Sequence, residues 1–392
     1  MKDITIVSVL GPEDKFYIQR NLKLIEKLNK TSPKIIHLID NFFSYEKKLE
    51  LINKDIFIHE GVEQNETIHK NFRGSYQHAE SLNSFFRQNK IKTKYLLIID
   101  PDFYIIYNDW ISKVTKYMDK KRIDFFGSPW HPKWYKKYRN FPCVHCLFIN
   151  LENINQDSLD FTPNLINKNS LKKLESESKN KKLKLSSELS SKKWYLIILS
   201  MYLYSTKRLI KEYQSYDLNV PKILSIIESI FVKLIKFFSK KNKKNYINSL
   251  SKRLNTLILN RRLINSSKDT GYLIEKKFSS KKYKKGILKP VVNFSDSFQM
   301  HHLRNKFGRN LERIIPDKIS YVPPINYYAK FKNNFEEFGL PPLYKENNWE
   351  EFLWREKPFG FHIRRFNKKN RVVEKELELV DKVIDLISDE NF

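Results

Sequence analysis

The run from Tyr95 to Ile99 constrains the fold more than any other stretch of the chain. It is continuously apolar and is followed directly by Asp100-Pro101-Asp102. A short apolar run that ends in a turn signal predicts a strand buried on both faces, as in a parallel sheet covered by helices. Strand periodicity places Asp100 and Asp102 on the same side, and Pro101 ends the pairing. Such a pair suits a divalent cation that carries substrate phosphates, although an acidic turn leaving the sheet has the same local pattern.

The first 165 residues alternate strands with helices, which predicts a mostly parallel sheet with helices on both faces. The 392 residues allow one large domain with additions, or two domains, and 41% of them are hydrophobic, enough for a sizeable core. Beside the strand that ends at Asp100, the predicted strands are Ile4–Leu10, Lys34–Ile39, Asp55–His59, Ile123–Phe126 and Val144–Ile149, and the predicted helices are Phe16–Asn29, Ser75–Gln88 and Asn108–Met118.

Residues 166–265 differ from their flanks in charge and composition. They contain no glycine, and 23 Lys and Arg against 6 Asp and Glu give a net charge of +17, more than half of the +29 of the chain. Pro221–Phe238 predicts a helix with a narrow polar stripe and a wide apolar face, followed by a basic cluster at Lys240–Lys244. This pattern suits a helix at an anionic membrane surface, and equally an insertion packed on its own domain or on a sister subunit. Nucleic acid is not expected, because the apolar face is too large for a surface that only tracks phosphates.

Globular character returns at Ser267 and continues to about Asn367, and Arg371–Ile387 predicts an amphipathic helix packed on the domain. We therefore expect a discontinuous domain from residues 1–165 and 266–367. A basic helical insertion at 166–265 would interrupt it, and a C-terminal helix at 368–392 would follow it.

The two cysteines, Cys143 and Cys146, provide no disulfide framework, so we expect a reducing compartment. They also lack the second cysteine pair of a closed zinc site, so we expect them to belong to a core strand. The start of the chain predicts a strand rather than a signal peptide, and no long uncharged apolar run is present. We expect a cytoplasmic protein; peripheral attachment to the inner face of the cell membrane is the alternative. Its charge favours anionic partners.

Six motifs resemble, in their order and spacing, a glycosyltransferase of the GT-A fold in the broad family-2-like group. The likeness covers about 165 residues before the insertion and about 100 after it. The motifs are Ile4-Thr5-Ile6-Val7-Ser8-Val9, His37-Leu38-Ile39-Asp40-Asn41, Gly74-Ser75-Tyr76-Gln77-His78-Ala79-Glu80-Ser81-Leu82-Asn83, Tyr95 to Asp102, Phe126-Gly127-Ser128-Pro129-Trp130 and Lys268-Asp269-Thr270-Gly271.

The resemblance implies a nucleotide site at the first two strands. Leu10, Gly11 and Asp40 would hold the nucleotide base, since a carboxylate can accept an N–H from a pyrimidine edge. Asn83 would lie near the ribose. Asp40 as a turn residue, and Asn83 as a capping or packing residue, are the structural alternatives.

The resemblance also implies a metal site. Asp100 would contact the ribose and the ion, and Asp102 would be the chief ligand of a Mn²⁺ or Mg²⁺ that bridges the two phosphates. The third ligand in such enzymes is a late histidine, which maps onto His362, with His301 and His302 as rivals. Family members carry a small residue after the acidic pair, whereas Phe103-Tyr104 here predicts a narrower donor pocket.

The remaining implied roles concern the acceptor and the leaving group. Asp269 takes the place where these families present the general base of an inverting transferase or an acid that binds the acceptor, with helix capping as the structural alternative. Arg364 and Arg365 could clamp a diphosphate or belong to a basic surface cluster. Trp130 and His131 follow a turn at a strand end and could bind a sugar ring, with core packing as the alternative for Trp130.

The sequence thus predicts a metal-dependent glycosyltransferase. It would move a sugar from a nucleotide-diphosphate sugar to a glycan or lipid-linked glycan at the cytoplasmic membrane face. A nucleotidyltransferase of similar fold would need a glycine-rich phosphate loop near the first strand, and Gly11-Pro12 is a poor match. A non-enzymatic protein that binds membrane or nucleic acid is the third possibility.

Overall fold

A computed structural model describes the chain at residues 4–12, 14–30, 34–41, 55–66, 73–131, 141–163, 222–238, 270–279, 282–292, 329–330, 335–341, 349–363 and 373–387, with single positions at 176, 199, 203, 206, 210 and 343. The strands are β1 (Ile4–Leu10), β2 (Lys34–Asp40), β3 (Ile56–Glu60), β4 (Tyr95–Ile99), β5 (Phe103–Ile105), β6 (Phe125–Gly127), β7 (Cys146–Asn150), β8 (Lys285–Ile287), β9 (Lys289–Val292), β10 (Ala329–Lys330), β11 (Glu350–Trp354) and β12 (Lys357–His362). The α-helices are α1 (Asp14–Leu28), α2 (Arg73–Gln88), α3 (Trp110–Lys121), α4 (Lys222–Phe238), α5 (Tyr272–Phe278) and α6 (Val373–Leu386).

The central sheet has seven strands in the order β3-β2-β1-β4-β7-β6-β8. Four of its six pairings are parallel, and β7 runs antiparallel to both of its neighbours. This mixed α/β architecture with a mostly parallel sheet confirms the predicted fold class.

The apolar run of β4 lies at the middle of this sheet because both of its faces are covered. Leu97 belongs to the core formed with α1 and α3, whereas Leu96 and Ile98 belong to the core formed with α2. All five residues of β4 are buried. A strand between two layers of helices has no polar face, which explains why its sequence is continuously apolar.

A second sheet of five strands has the order β10-β9-β11-β12-β5. Its edge strand β5 follows the acidic pair directly and was not predicted, because three residues are too few to separate a strand from a turn. β5 pairs antiparallel with β12, so that His362 lies opposite Phe103. Phe103 and Tyr104 are fully buried in this pairing. They fill the core instead of narrowing a donor pocket, which corrects that expectation.

The C-terminal helix α6 packs against α1. The Tyr17 hydroxyl donates a hydrogen bond to Glu376 at 2.7 Å, and the Arg20 guanidinium binds both carboxylate oxygens of Asp381 at 2.7 and 2.6 Å. Val380 and Val383 are buried against the main core. Apolar packing therefore holds the helix, because a partly exposed ion pair contributes at most about 1 kcal/mol.

Helix α4 lies in the basic insertion, at the position predicted from the sequence. Phe231 and Val232 pack with Leu203, while the opposite side carries an exposed apolar stripe. Members of this stripe are Ile223, Ile226, Ile230 and Leu234. Across the described residues, no helix is both long enough and apolar enough to cross a membrane. The domain boundaries stay a prediction.

Candidate active site

Two aspartates and a histidine converge at the carboxyl end of β4. His362 Nε2 lies 3.3 Å from Asp102 Oδ1 and 3.8 Å from Asp100 Oδ2. One potential ligand atom of each residue lies within 4.8 Å of the other two. Asp102 and His362 are buried, whereas Asp100 is partly exposed and gives the group its accessible side.

The two sheets together create this arrangement. After β4 the chain turns tightly, and the Phe103 amide donates to the Asp100 carbonyl at 3.0 Å. The pairing of β5 with β12 continues into the turn, where the Ile363 amide donates to the Asp102 carbonyl at 3.1 Å. His362 is thereby held next to the acids by backbone hydrogen bonds on both sides of the site.

The donor atoms fit a small divalent cation. Octahedral ions with metal–oxygen bonds of about 2.1 to 2.4 Å separate neighbouring ligand atoms by about 3.0 to 3.4 Å. The distances of 3.3 and 3.8 Å need only a small movement to meet this. Two carboxylates with one imidazole suit Mn²⁺, because imidazole nitrogen binds transition metals better than it binds Mg²⁺.

A second group of possible ligands consists of His145, Glu350 and His362, and it shares His362 with the first group. The two imidazole rings are stacked, with centroids 4.7 Å apart and an angle of 24° between their planes. An ion lies close to the plane of each ring that binds it, so nearly parallel stacked rings do not direct two lone pairs at one point. Of the two groups, Asp100, Asp102 and His362 therefore form the better candidate for a cation site.

Sequence reasoning missed three neighbours of this group. His78, on α2, places Nε2 3.9 Å from Asp100 Oδ1. Glu350 is fully buried and contacts His362, and His145 stacks on His362. The available signal for Glu350 was an acid at the start of a short strand, between Trp349 and Phe352, since a carboxylate buried there requires a polar partner.

The predicted base-binding residues lie at the carboxyl ends of β1 and β2. Leu10 is opposite Asp40 in the parallel register, and Gly11 follows Leu10. The Gly11 amide donates to the Asp14 carboxylate, which ties the β1 loop to the start of α1. Parallel strands present ligands at this edge, so the position suits the implied role, which stays a prediction.

Asn83 anchors a loop. Its Oδ1 accepts from the Phe161 amide at 2.9 Å, and its Nδ2 donates to the Thr162 hydroxyl at 3.0 Å. Both ends of the side chain are therefore engaged in the packing role that was the alternative for this residue. Contact with a ribose stays a prediction.

Trp130 and His131 differ in exposure. His131 is fully buried, with Nε2 2.8 Å from the Val291 carbonyl, so it lies in the interior and we leave it out of the proposed sugar site. Trp130 is partly exposed and lines a cleft with Cys143, Val144 and Gly271. Its contact with a sugar ring stays a prediction.

Cys143 and Cys146 are not joined in a disulfide and lie in different surroundings. Cys143 Sγ lies 3.2 Å from the Ser128 carbonyl and 2.9 Å from both ring nitrogens of His145. Cys146 is fully buried, and burial raises the pKa of its thiol. Within the described ranges, neither cysteine belongs to a metal-capable group of three or more.

Five predicted residues lie outside the described residues: Asp269, His301, His302, Arg364 and Arg365. The residue after Asp269 is placed, and the Thr270 hydroxyl donates to the Ser75 carbonyl at 2.9 Å. Gly271 follows with φ of 80°, a left-handed conformation that favours glycine.

No protein-family model and no curated protein matches the chain. Solved structures that the chain partly matches include a galactosyltransferase and a mannosyltransferase. The galactosyltransferase LgtC, in complex with donor and acceptor sugar analogs, is 14% identical with a TM-score of 0.28, and the match covers 40% of this chain and 62% of that one, less than two thirds of its length.

Two further structures match over more of the chain. S. aureus TarS 1-349 is 10% identical with a TM-score of 0.31, covering 68% of this chain and 90% of that one. The mannosyltransferase PcManGT from Pyrobaculum calidifontis, in complex with GDP-Man and Mn²⁺, is 11% identical with a TM-score of 0.29, covering 70% and 87%. These are proteins that the chain resembles, and its function must be argued from its own site.

Proposed function

We propose that the protein is a metal-dependent glycosyltransferase that transfers a sugar from a nucleotide-diphosphate sugar to a glycan or lipid-linked glycan. The convergence of Asp100, Asp102 and His362 at the carboxyl end of β4 supports this most strongly. Crevices at this edge of a mostly parallel sheet are where such folds bind ligands.

Each residue of the group has a distinct part in the proposal. Asp102 and His362 are buried and would hold the ion, while the partly exposed Asp100 would contact both the ion and the ribose. A bound Mn²⁺ or Mg²⁺ supplies Lewis-acid neutralisation of the leaving nucleoside diphosphate. Asp269 would take the proton from the acceptor hydroxyl, and Arg364 with Arg365 would bind the diphosphate.

Removal of one carboxylate provides the test. We expect Asp102→Asn to weaken Mn²⁺ binding by at least about 100-fold. Even a residue that only hydrogen-bonds to a metal ligand lowers metal affinity by about 10- to 100-fold when it is lost. Asp157→Asn is the matched control, since Asp157 is exposed and pairs with Lys90 on the surface. Calorimetry with Mn²⁺, and with UDP or GDP in the presence and absence of Mn²⁺, gives the measurement. Unchanged Mn²⁺ and nucleotide binding by Asp102→Asn would refute the metal assignment.

A screen of nucleotide sugars separates the functional classes. A glycosyltransferase releases a nucleoside diphosphate from the donor, whereas a nucleotidyltransferase releases pyrophosphate from a nucleoside triphosphate. A protein that binds no nucleotide under any of these conditions would belong to the third, non-enzymatic class.

We also propose that α4 places the enzyme on an anionic membrane surface, where a lipid-linked acceptor would lie. Its exposed apolar stripe spans an arc of about 80° at 100° per residue, and the exposed Lys222 and Lys233 follow on one side of it. Lysines beside an apolar stripe match anionic lipid headgroups above acyl chains.

Vesicle sedimentation tests the membrane proposal. Ile226→Asp should abolish sedimentation with anionic vesicles, because it places a charge in the stripe. Ser229→Asp adds the same charge on the exposed polar side and should retain most of the binding. If wild-type protein stays in the supernatant and Ile226→Asp instead alters the oligomeric state, the stripe contacts another copy of the chain.

A further inference from the structure

His362 has a buried acidic partner on the side that faces away from the aspartates. Glu350 Oε2 lies 3.1 Å from His362 Nδ1, and the two residues are direct cross-strand neighbours of β11 and β12. Glu350 is 0% exposed and His362 is 2% exposed. The contact is therefore fully desolvated, where hydrogen bonds are strongest and an unpaired group is most costly.

We propose that Glu350 is a positioning residue that keeps the His362 proton on Nδ1, so that the Nε2 lone pair faces Asp100 and Asp102. The inference rests on the proposed metal function. An ionised carboxylate can only accept, so Nδ1 must donate, and a neutral ring then carries its lone pair on Nε2. A lone pair directed at two carboxylates is the arrangement that a cation between them stabilises.

The surrounding rings leave His362 little freedom to turn. His145 stacks on it at 4.7 Å, and Phe103 lies against it at 5.7 Å between centroids. Packing therefore fixes the plane of the imidazole, but rings cannot decide which nitrogen carries the proton. Glu350 contacts Nδ1 directly at 3.1 Å and can therefore fix the position of the proton.

The proposal has a consequence for metal choice. His362 supplies the nitrogen ligand, and nitrogen favours Mn²⁺ over Mg²⁺, which prefers oxygen and retains its water. Loss of the supporting carboxylate should weaken Mn²⁺ binding by about 10- to 100-fold and Mg²⁺ binding by less. The preference for Mn²⁺ over Mg²⁺ should fall accordingly.

The chain offers a close control for the substitution Glu350→Gln. Glu351 is the next residue of β11, is 2% exposed, and pairs with Phe361 rather than with His362. Glu351→Gln therefore neutralises a buried acid of the same strand without touching the histidine. Urea unfolding of both variants measures the stability cost that they share.

The decisive measurement is the nitrogen-15 spectrum of His362 in metal-free protein, which reports which ring nitrogen carries the proton. We expect the proton on Nδ1 in the wild type and in Glu351→Gln, and a proton moved at least partly to Nε2 in Glu350→Gln. A wild-type ring with its proton on Nε2 would overturn the proposal, and this result needs no variant to fold.

Calorimetry with Mn²⁺ and Mg²⁺ separates this inference from the proposed function. If wild type and Glu350→Gln bind Mn²⁺ equally and share one tautomer, the positioning role fails while the metal site stands. If the wild type binds neither ion yet shows the Nδ1 proton and its dependence on Glu350, the pairing stands and the proposed function fails.

Discussion

Gly360 is where the packing of the second sheet and the geometry of the site meet. It lies in β12 opposite Ile105 of β5, two residues before His362. A Cβ at this position would lie 2.4 Å from the Tyr104 carbonyl oxygen and 3.2 Å from Ile105 Cα. Both are backbone atoms, so no side chain can turn aside to admit the methyl group of Gly360→Ala.

The cost follows from these distances. Ordinary contact needs at least about 3.5 Å, so the two strands must separate by about 1 Å. Overpacking of this kind costs about 1–3 kcal/mol, and weakening a ladder hydrogen bond adds about 1 kcal/mol. The hydrogen bond from the Ile106 amide to the Phe359 carbonyl, now 2.8 Å, is the nearest candidate. We expect a loss of about 2–4 kcal/mol in the free energy of unfolding.

The same displacement should reach the site. His362 Nε2 lies 3.3 Å from Asp102 Oδ1, and a movement of β12 by about 1 Å would take this separation beyond the roughly 3.0 to 3.4 Å between neighbouring ligands of one small cation. Mn²⁺ affinity should therefore fall together with stability.

Urea unfolding followed by tryptophan fluorescence, with Mn²⁺ calorimetry on the same samples, measures both effects. Gly74→Ala is the control, because a Cβ there meets nothing within 4 Å and alanine in a helix is favoured by about 0.5–1 kcal/mol. An unfolding midpoint and Mn²⁺ affinity of Gly360→Ala equal to those of the wild type would refute the close approach of β12 to β5.

Three further outcomes are expected. Burial, and the neighbouring His59 ring at 2.8 Å, lower the pKa of His37 to about 4. The unfolded chain binds this proton near pH 6.5, so the free energy of unfolding should fall as the pH drops from 6.5 to 4, by on the order of 2 kcal/mol for a half-buried ring. In His37→Gln, the urea midpoint should depend less on pH over that range. An unchanged pH dependence would contradict the lowered pKa of His37. The variant Cys143→Ser leaves Cys146 as the single thiol of the chain. Because Cys146 is buried and its pKa is raised, iodoacetamide should label it only after the protein unfolds. Rapid labelling of the native state would be inconsistent with its position in the core. Asn83→Ala should free the loop at residues 160–162 and increase its cleavage by proteases without changing Mn²⁺ affinity, and a resistant loop would show that other contacts hold it.

The central sheet could be predicted from the sequence because a strand that is buried on both faces has a continuous run of apolar residues. In β4, all five side chains lie inside, so the pattern needs no knowledge of distant partners. The acids after β4 were found for the same reason, since polar residues at the end of an apolar run are visible within a window of ten residues.

The second sheet could not be predicted, because its pairings join residues far apart in the chain. β5 has three residues, and its partner β12 begins at Lys357. No local pattern states which distant strand will pair with Phe103. His362 was reached through the family resemblance, whereas Glu350 carries no motif, and its place beside His362 follows from the register of β11 and β12.

The pairing of β5 with β12 has a consequence for synthesis of the protein. If translation stops before β11, the incomplete chain contains both aspartates but lacks His362. The aromatic edge strand β5 is then exposed to solvent. Open apolar strand edges attract chaperones and proteases. Incomplete chains would thus be open to recognition and removal before the second sheet forms.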